Sequence, residues 1–452
     1  MSRDLYVFPA SPGQEWMWLI HHMFREASPY RISGVVRLRG PLDIGLLSRS
    51  LDLLVERHEA LRTVFRLEPS GDVSQVIRPA ERVELETVDL TGGAAGTDER
   101  AHAQLRALCM RPFDLAQGPL VRAAVIRIGP DDHMLGLVLH HIVSDGWSMG
   151  VVTSELAETY ALLVAGDPPD LPEPALQYAD FALWHREWLA SDAAADHVAY
   201  WTRKLDGAEP LRLPIDPAAP GVQASPLGSL RLGPATAAAL AETARAEGTT
   251  VFMVLLSAFA AILARWSGQQ DFVITVPVAG RPQPELAGTV GFFVNTLPIR
   301  VNTSGDPTLR ELLHRVRAGC LEAYDHQDVP YETMVRKAAW RRDGPGARLG
   351  PVMFALRAPL GPPLRAPAGL TMELQEITPT AGEMDVFAEL VDVPGQGLHG
   401  HLAGNGARVG QETMDLLADS LTRVLTVAAA GGGTRVPDLP VPLAAPHPVG
   451  GS

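Results

Sequence analysis

His140-His141-Ile142-Val143-Ser144-Asp145-Gly146 places two imidazoles, a carboxylate and a glycine within one short segment. Just before it, Leu120 to Ile128 and Met134 to Leu139 are apolar runs separated by Gly129-Pro130-Asp131-Asp132, the pattern of two strands joined by a tight connection. Just after it, Trp147 to Leu163 takes up a helical rhythm. Residues 140–146 therefore read as a strand-to-helix loop, from which side chains project into a cavity. Histidine is the side chain whose unperturbed pKa lies nearest neutrality, so it can take a proton from an attacking nucleophile and return it to a leaving group. A glycine at the loop's end allows close approach to the backbone.

Further out, Glu15 to Phe24 is dense in Trp, Met, Leu and Ile at helical spacing, with Ser11-Pro12 as a helix start. Leu47, Leu51, Leu54 and Val55 share one face of a predicted helix over Leu46 to Leu61, and Val64 and Phe65 turn into a strand. Prolines crowd the stretch Asp167 to Pro174, which cannot continue a helix and reads as a linker. Beyond it, helical patterns (Thr250 to Trp266, Leu309 to Tyr324, Gln411 to Val427) alternate with β-like runs (Phe272 to Val278, Phe292 to Val301). This predicts an α/β chain, an α+β sandwich in each half, with lobes over 1–170 and 171–452 and a loose tail from about Gly431. A chain of 452 residues exceeds the size at which one core stops growing, so two lobes are expected.

Apolar residues make up 46% and charged residues 20%, the balance of a globular enzyme. The net charge of −14 disfavours nucleic acid and anionic lipid as partners. The basic cluster Arg336, Lys337, Arg341 and Arg342 is the local exception. Cys109 and Cys320 stand far apart without metal-ligand spacing, so neither a metal site nor a disulfide framework is expected. With no long apolar run and no leader pattern, a cytoplasmic location without membrane attachment is the default expectation.

The loop resembles the H-H-x-x-x-D-G signature of the condensation domain of nonribosomal peptide synthetases, and the likeness continues in order along the chain. Ser11 to Leu19 resembles that family's opening motif, with Gly13 and Trp16 where alanine and arginine are usual. Arg57 to Phe65 matches the second motif, and Tyr178 to Trp184, Gly291 to Thr296 and His326 to Glu332 match later ones. Arg342 to Gly350 keeps little of the seventh motif, and Leu402 to Asn405 lacks the aromatic and acidic residues usual there. Ordered agreement over most of the chain is far more specific than one motif.

The resemblance implies two lobes, each like chloramphenicol acetyltransferase, in a V-shaped pseudo-dimer with a central tunnel. It implies an acyltransferase that moves an aminoacyl or acyl group from the phosphopantetheine of a peptidyl carrier protein to a hydroxyl or amine of a small-molecule acceptor; with the first motif so close to Met1, a free-standing enzyme that meets its carrier in trans is expected. An ester or an amide of natural-product biosynthesis would result, without a bound cofactor. Free-standing relatives of this kind include ester-forming enzymes of enediyne antibiotic biosynthesis. His141 would be the base or proton-positioning group. His140, Asp145, Gly146 and Arg62 would support the loop, Arg62 as the ion-pair partner of Asp145, because a buried carboxylate needs a cation. Trp147, Ser148 and Asn295 would line the tunnel. Two other members of the superfamily remain open as alternatives: an epimerase of carrier-bound aminoacyl groups, and a non-catalytic module that recruits carriers.

Overall fold

The computed structural model describes residues 5–23, 30–92, 96–214, 225–337, 350–358, 364–377, 381–382 and 384–442. The first elements are β1 (Tyr6–Pro9), α1 (Pro12–Met23), β2 (Arg31–Arg39), α2 (Ile44–Arg57), β3 (Thr63–Leu67), β4 (Val73–Ile77), β5 (Leu85–Asp89) and α3 (Thr97–Met110). There follow β6 (Val121–Gly129), β7 (Asp132–His140), α4 (Gly146–Ala165), α5 (Tyr178–Leu189) and α6 (Asp192–Leu205). The rest are β8 (Leu227–Leu232), α7 (Pro234–Ala246), α8 (Val251–Ser267), β9 (Asp271–Val278), β10 (Asn295–Asn302), α9 (Leu309–Asp325), α10 (Tyr331–Lys337), β11 (Val352–Arg357), β12 (Thr371–Gln375), β13 (Val386–Val393), β14 (Gly397–Gly404) and α11 (Gln411–Ala429).

The chain forms two compact units: one comprises 1–194, 279–294 and 360–377, the other 195–278, 295–359 and 378–452. The proline-rich stretch at 167–174 thus does not mark the change of unit, since α5 still packs with the first. In the first unit a five-stranded sheet runs β12-β2-β7-β6-β5, beside a three-stranded sheet β1-β4-β3. β7 is central and buried along almost its whole length, which explains its unbroken apolar run. The antiparallel register of β6 and β7 places Val121 opposite Leu139 and brings His140 to the sheet's end. Leu51, Leu54 and Val55 of α2 and Val152 and Leu156 of α4 fill one core with Val138 and Leu139 of β7.

The second unit holds a six-stranded mixed sheet, β10-β9-β11-β13-β14-β8. Its central helix α8 starts at Thr250, whose side chain accepts from the Met253 amide at 3.2 Å, and is buried on nearly all sides, Leu255 to Leu263 included. Residues 431–442, expected as loose tail, are anchored in this unit instead: Leu309 N–H donates to Thr434 O at 2.9 Å and Arg310 N–H to Gly432 O at 3.0 Å. Val436, Leu439 and Val441 of this proline-spaced segment are buried there. Cys109 is half-buried, Cys320 is buried, and both are free thiols. No single helix among the described residues is long and apolar enough to cross a membrane. Arg336 and Lys337 are exposed at the end of α10, while Arg341 and Arg342 lie outside the described residues.

Candidate active site around His141

β7 ends at His140, and the backbone then turns through a short 3-10 segment, His141–Val143, before α4 begins at Gly146. Three contacts fix that turn. His141 N–H donates to Tyr30 O at 2.9 Å, Ile142 N–H to His140 Nδ1 at 3.1 Å, and Gln14 Nε2 of α1 to Ile142 O at 3.2 Å.

The two imidazoles consequently diverge. His140 is 1% exposed, packed edge-on against His21 and Phe113, and its Nε2 lies 3.3 Å from His21 Nδ1. Burial, reinforced by the charges of neighbouring histidines, holds its pKa well below the ordinary histidine value, so it is neutral at pH 7. Because Ile142 N–H donates to Nδ1, the single ring proton of His140 sits on Nε2.

His141 is only half-buried, and its Nδ1 lies 2.8 Å from Ser144 O. A carbonyl oxygen cannot donate, so Nδ1 carries the proton and Nε2 is left with its lone pair. Nε2 has no hydrogen-bond partner among the described residues. Desolvation lowers the imidazole's pKa below 6.5, opposed in part by the Asp145 charge and the Ser144 carbonyl, which keeps the ring neutral and basic at pH 7. The ring edge of Phe292 closes one side at a centroid distance of 5.1 Å and 83°.

Asp145 caps α4: its Oδ1 accepts from Ser148 N–H at 2.7 Å and its Oδ2 from Phe293 N–H at 3.0 Å. Its cation is Arg281, not Arg62. Arg281 Nη2 lies 3.2 Å and 3.3 Å from the two carboxylate oxygens, and the side chains are 3% and 2% exposed. Arg281 also donates to Leu286 O and Thr289 O at 2.7 Å each and to Ser148 Oγ at 2.9 Å, and its guanidinium lies 3.9 Å from the Phe293 ring centroid. Arg62 is occupied elsewhere: its Nη1 donates to Arg78 O at 2.6 Å and its Nη2 pairs with Glu59 at 3.4 Å, one helical turn away. The cue for Arg281 lay in Gly280-Arg281 directly after β9, where Gly280 takes φ +64 and a Cβ would strike the Phe293 backbone.

The remaining sequence candidates divide by what they touch. Ser148 is buried and belongs to the clamp: its hydroxyl donates to Gly291 O at 2.9 Å and accepts from Gly291 N–H at 3.1 Å. Trp147 is 52% exposed, and its indole N–H donates to Ala287 O at 2.8 Å. Gly146 is exposed, and a Cβ there would meet nothing within 4 Å. Asn295 belongs to the second unit, where its amide donates to Gln327 O and Val329 O at 2.7 Å and 2.8 Å and accepts from the amides of Thr296 and Tyr331. Its hydrogen-bonding capacity is thus spent on local structure. Tyr178, expected from its motif to be structural, has its hydroxyl donate to Phe292 O and meet Ser11 Oγ, both at 2.8 Å.

A family model described as the condensation domain matches residues 5–364, and the chain belongs to that family. It is 43% identical over 361 residues to a linear gramicidin synthase protein of Brevibacillus parabrevis, a match covering 79% of this chain and 5% of that protein. It is also 36% identical over 440 residues to a chondramide synthase of Chondromyces crocatus, covering 96% of this chain and 11% of that protein. The chain therefore spans a small part of the curated relatives it matches. Among solved structures, it is similar to the X-domain from teicoplanin biosynthesis, with 28% identity, a TM-score of 0.86 and coverage of 96% and 97% of the two chains. A further likeness is to the SgcC5 protein of Streptomyces globisporus, with 29% identity, a TM-score of 0.77 and coverage of 94% and 100%.

Proposed function

We propose that this chain transfers an acyl group from a carrier-protein phosphopantetheine thioester to a hydroxyl or amine acceptor, with His141 Nε2 as the base. The observation that carries this is the bond from His141 Nδ1–H to Ser144 O, which commits the ring to the tautomer whose free nitrogen can accept a proton. In the step itself, the acceptor's lone pair forms a bond to the thioester carbon while Nε2 takes its proton. The thiolate then leaves and is protonated, so that the imidazole is returned to its starting state. Ester formation draws on this base most, because a neutral alcohol is a poor nucleophile and a neutral amine a good one. An alcohol acceptor also gains support from SgcC5, which was crystallised with a naphthyl ethanediol.

A second reading, a module that docks a partner protein, draws on the likeness to the X-domain from teicoplanin biosynthesis, also solved in complex with OxyB at 28% identity to this chain. One assay separates the two. Incubation with an acyl-loaded carrier and mixed alcohol and amine acceptors should give a product of the summed acyl and acceptor mass, and His141→Ala should slow the alcohol reaction at least about a hundredfold. Unchanged ester formation by His141→Ala contradicts the base assignment. A carrier that retains its acyl group with every acceptor favours the docking module, and solvent deuterium entering the loaded carrier without an acceptor favours an epimerase.

A further inference from the structure

Phe292 stands in the motif stretch Gly291 to Thr296, yet the clamp around Asp145 uses the backbone there and the Phe293 ring, leaving the Phe292 ring without a role in it. That ring is half-buried and meets the imidazole of His141 edge-on. Its backbone is fixed on both sides, by Tyr178 Oη–H donating to Phe292 O and by Phe293 N–H donating to Asp145. Gly291 must lack a side chain for this, since a Cβ would run into the Tyr178 ring.

What gives the ring its place is Gly13 in the first turn of α1. A Cβ at position 13 would stand 2.9 Å from Phe292 Cε1 and 3.3 Å from Cδ1, closer than carbon atoms pack. The same turn of α1 reaches the catalytic loop through Gln14 Nε2 and Ile142 O. The glycine, the phenylalanine and the histidine therefore form one packed row, of which the last two members are partly open to solvent.

We propose that Phe292 is a specificity-determining residue: seated in the space left by Gly13, its ring is the wall that limits the size of the substituent standing beside His141 during transfer. The inference rests on the acyl-transfer reading above. A large aromatic wall favours acyl groups unbranched next to the carbonyl, or primary over secondary alcohols, and truncating it admits the bulkier members of either set. One missing or added carbon group at such a wall changes selectivity on the order of tenfold or more.

The test compares wild type, Phe292→Ala, Gly13→Ala and the double variant. Donors are acetyl and isobutyryl groups on a carrier protein, and acceptors are a primary and a secondary alcohol. Phe292→Ala should shift the kcat/KM ratio toward the bulkier donor or acceptor by about tenfold. Gly13→Ala, which displaces the ring, should lower kcat/KM and perturb the ring NMR resonances of His141, and adding Phe292→Ala should restore both, because the new methyl then meets no ring. If wild type transfers through His141 but neither ratio moves in Phe292→Ala, the proposal is overturned while the acyl-transfer reading stands. If wild type transfers neither to these alcohols nor to a primary amine, both fall. Unperturbed His141 resonances in Gly13→Ala would overturn the packed row independently of turnover.

Discussion

At the scale of single residues, Asp145 and Arg281 decide whether the loop that carries His141 keeps its shape. The carboxylate is buried and accepts two backbone amides, so removing its cation leaves a charge without compensation. Arg281→Met should cost roughly 3–5 kcal/mol in urea unfolding, and Asp145→Asn combined with Arg281→Met should cost less than the sum of the two single changes. Additive losses would show that the two side chains do not act as a pair. The sequence exposed half of this arrangement. A buried carboxylate demanded a cation, and Arg62 was the expected partner, but the one that supplies it, Arg281, lies 136 residues downstream. His141 could be picked out as a candidate base because residue type and a local turn are readable in sequence. Which ring nitrogen is free depends on the Ser144 carbonyl, which only the folded backbone reveals.

At the scale of elements, helices with one apolar face and strands with long apolar runs were readable from periodicity, as α8, α9, α11, β6, β7 and β9 illustrate. β10 begins at Asn295, three residues later than the run from Phe292 suggests, because the backbone of Phe292 and Phe293 is already bonded to Tyr178 and Asp145. The hairpin of β13 and β14 went unread despite Pro394-Gly395 at its turn, where Gly395 takes φ +77. β12 was invisible for another reason: five residues late in the chain pair antiparallel with β2, a partner hundreds of positions away. Close packing yields a prediction here. Gly228 of β8 lies against the backbone of α11, so a Cβ would meet Met414 O, and Gly228→Ala should lower stability by about 1–3 kcal/mol. Gly150 within α4 has open space, and Gly150→Ala should instead raise stability by roughly 0.5–1 kcal/mol. Equal effects at the two sites in chemical unfolding would refute the packing argument.

At the scale of the whole molecule, composition foresaw a globular chain with more than one core, and two compact units are present. It could not foresee that residues 279–294 and 360–377 return to the first unit, the former bringing Arg281 to Asp145 and Phe292 to His141, the latter adding β12 to the five-stranded sheet. Those returns are set by tertiary contacts, and no local propensity encodes them. The pH dependence of turnover gathers these parts into one observable. A base works unprotonated, and burial moves the His141 pKa below its ordinary value, so in the proposed role activity should persist as the pH falls through the ordinary histidine range and be lost only beneath it. The decisive measurement is single-turnover transfer from a loaded carrier to an alcohol between about pH 5 and about pH 8. Expected are a plateau through neutrality, an acid limb that sets in only beneath the ordinary histidine range and steepens toward about tenfold per pH unit, and no such limb in the residual rate of His141→Ala. A limb that survives unchanged in His141→Ala, or a rate that climbs steadily through the alkaline range, would contradict the base assignment.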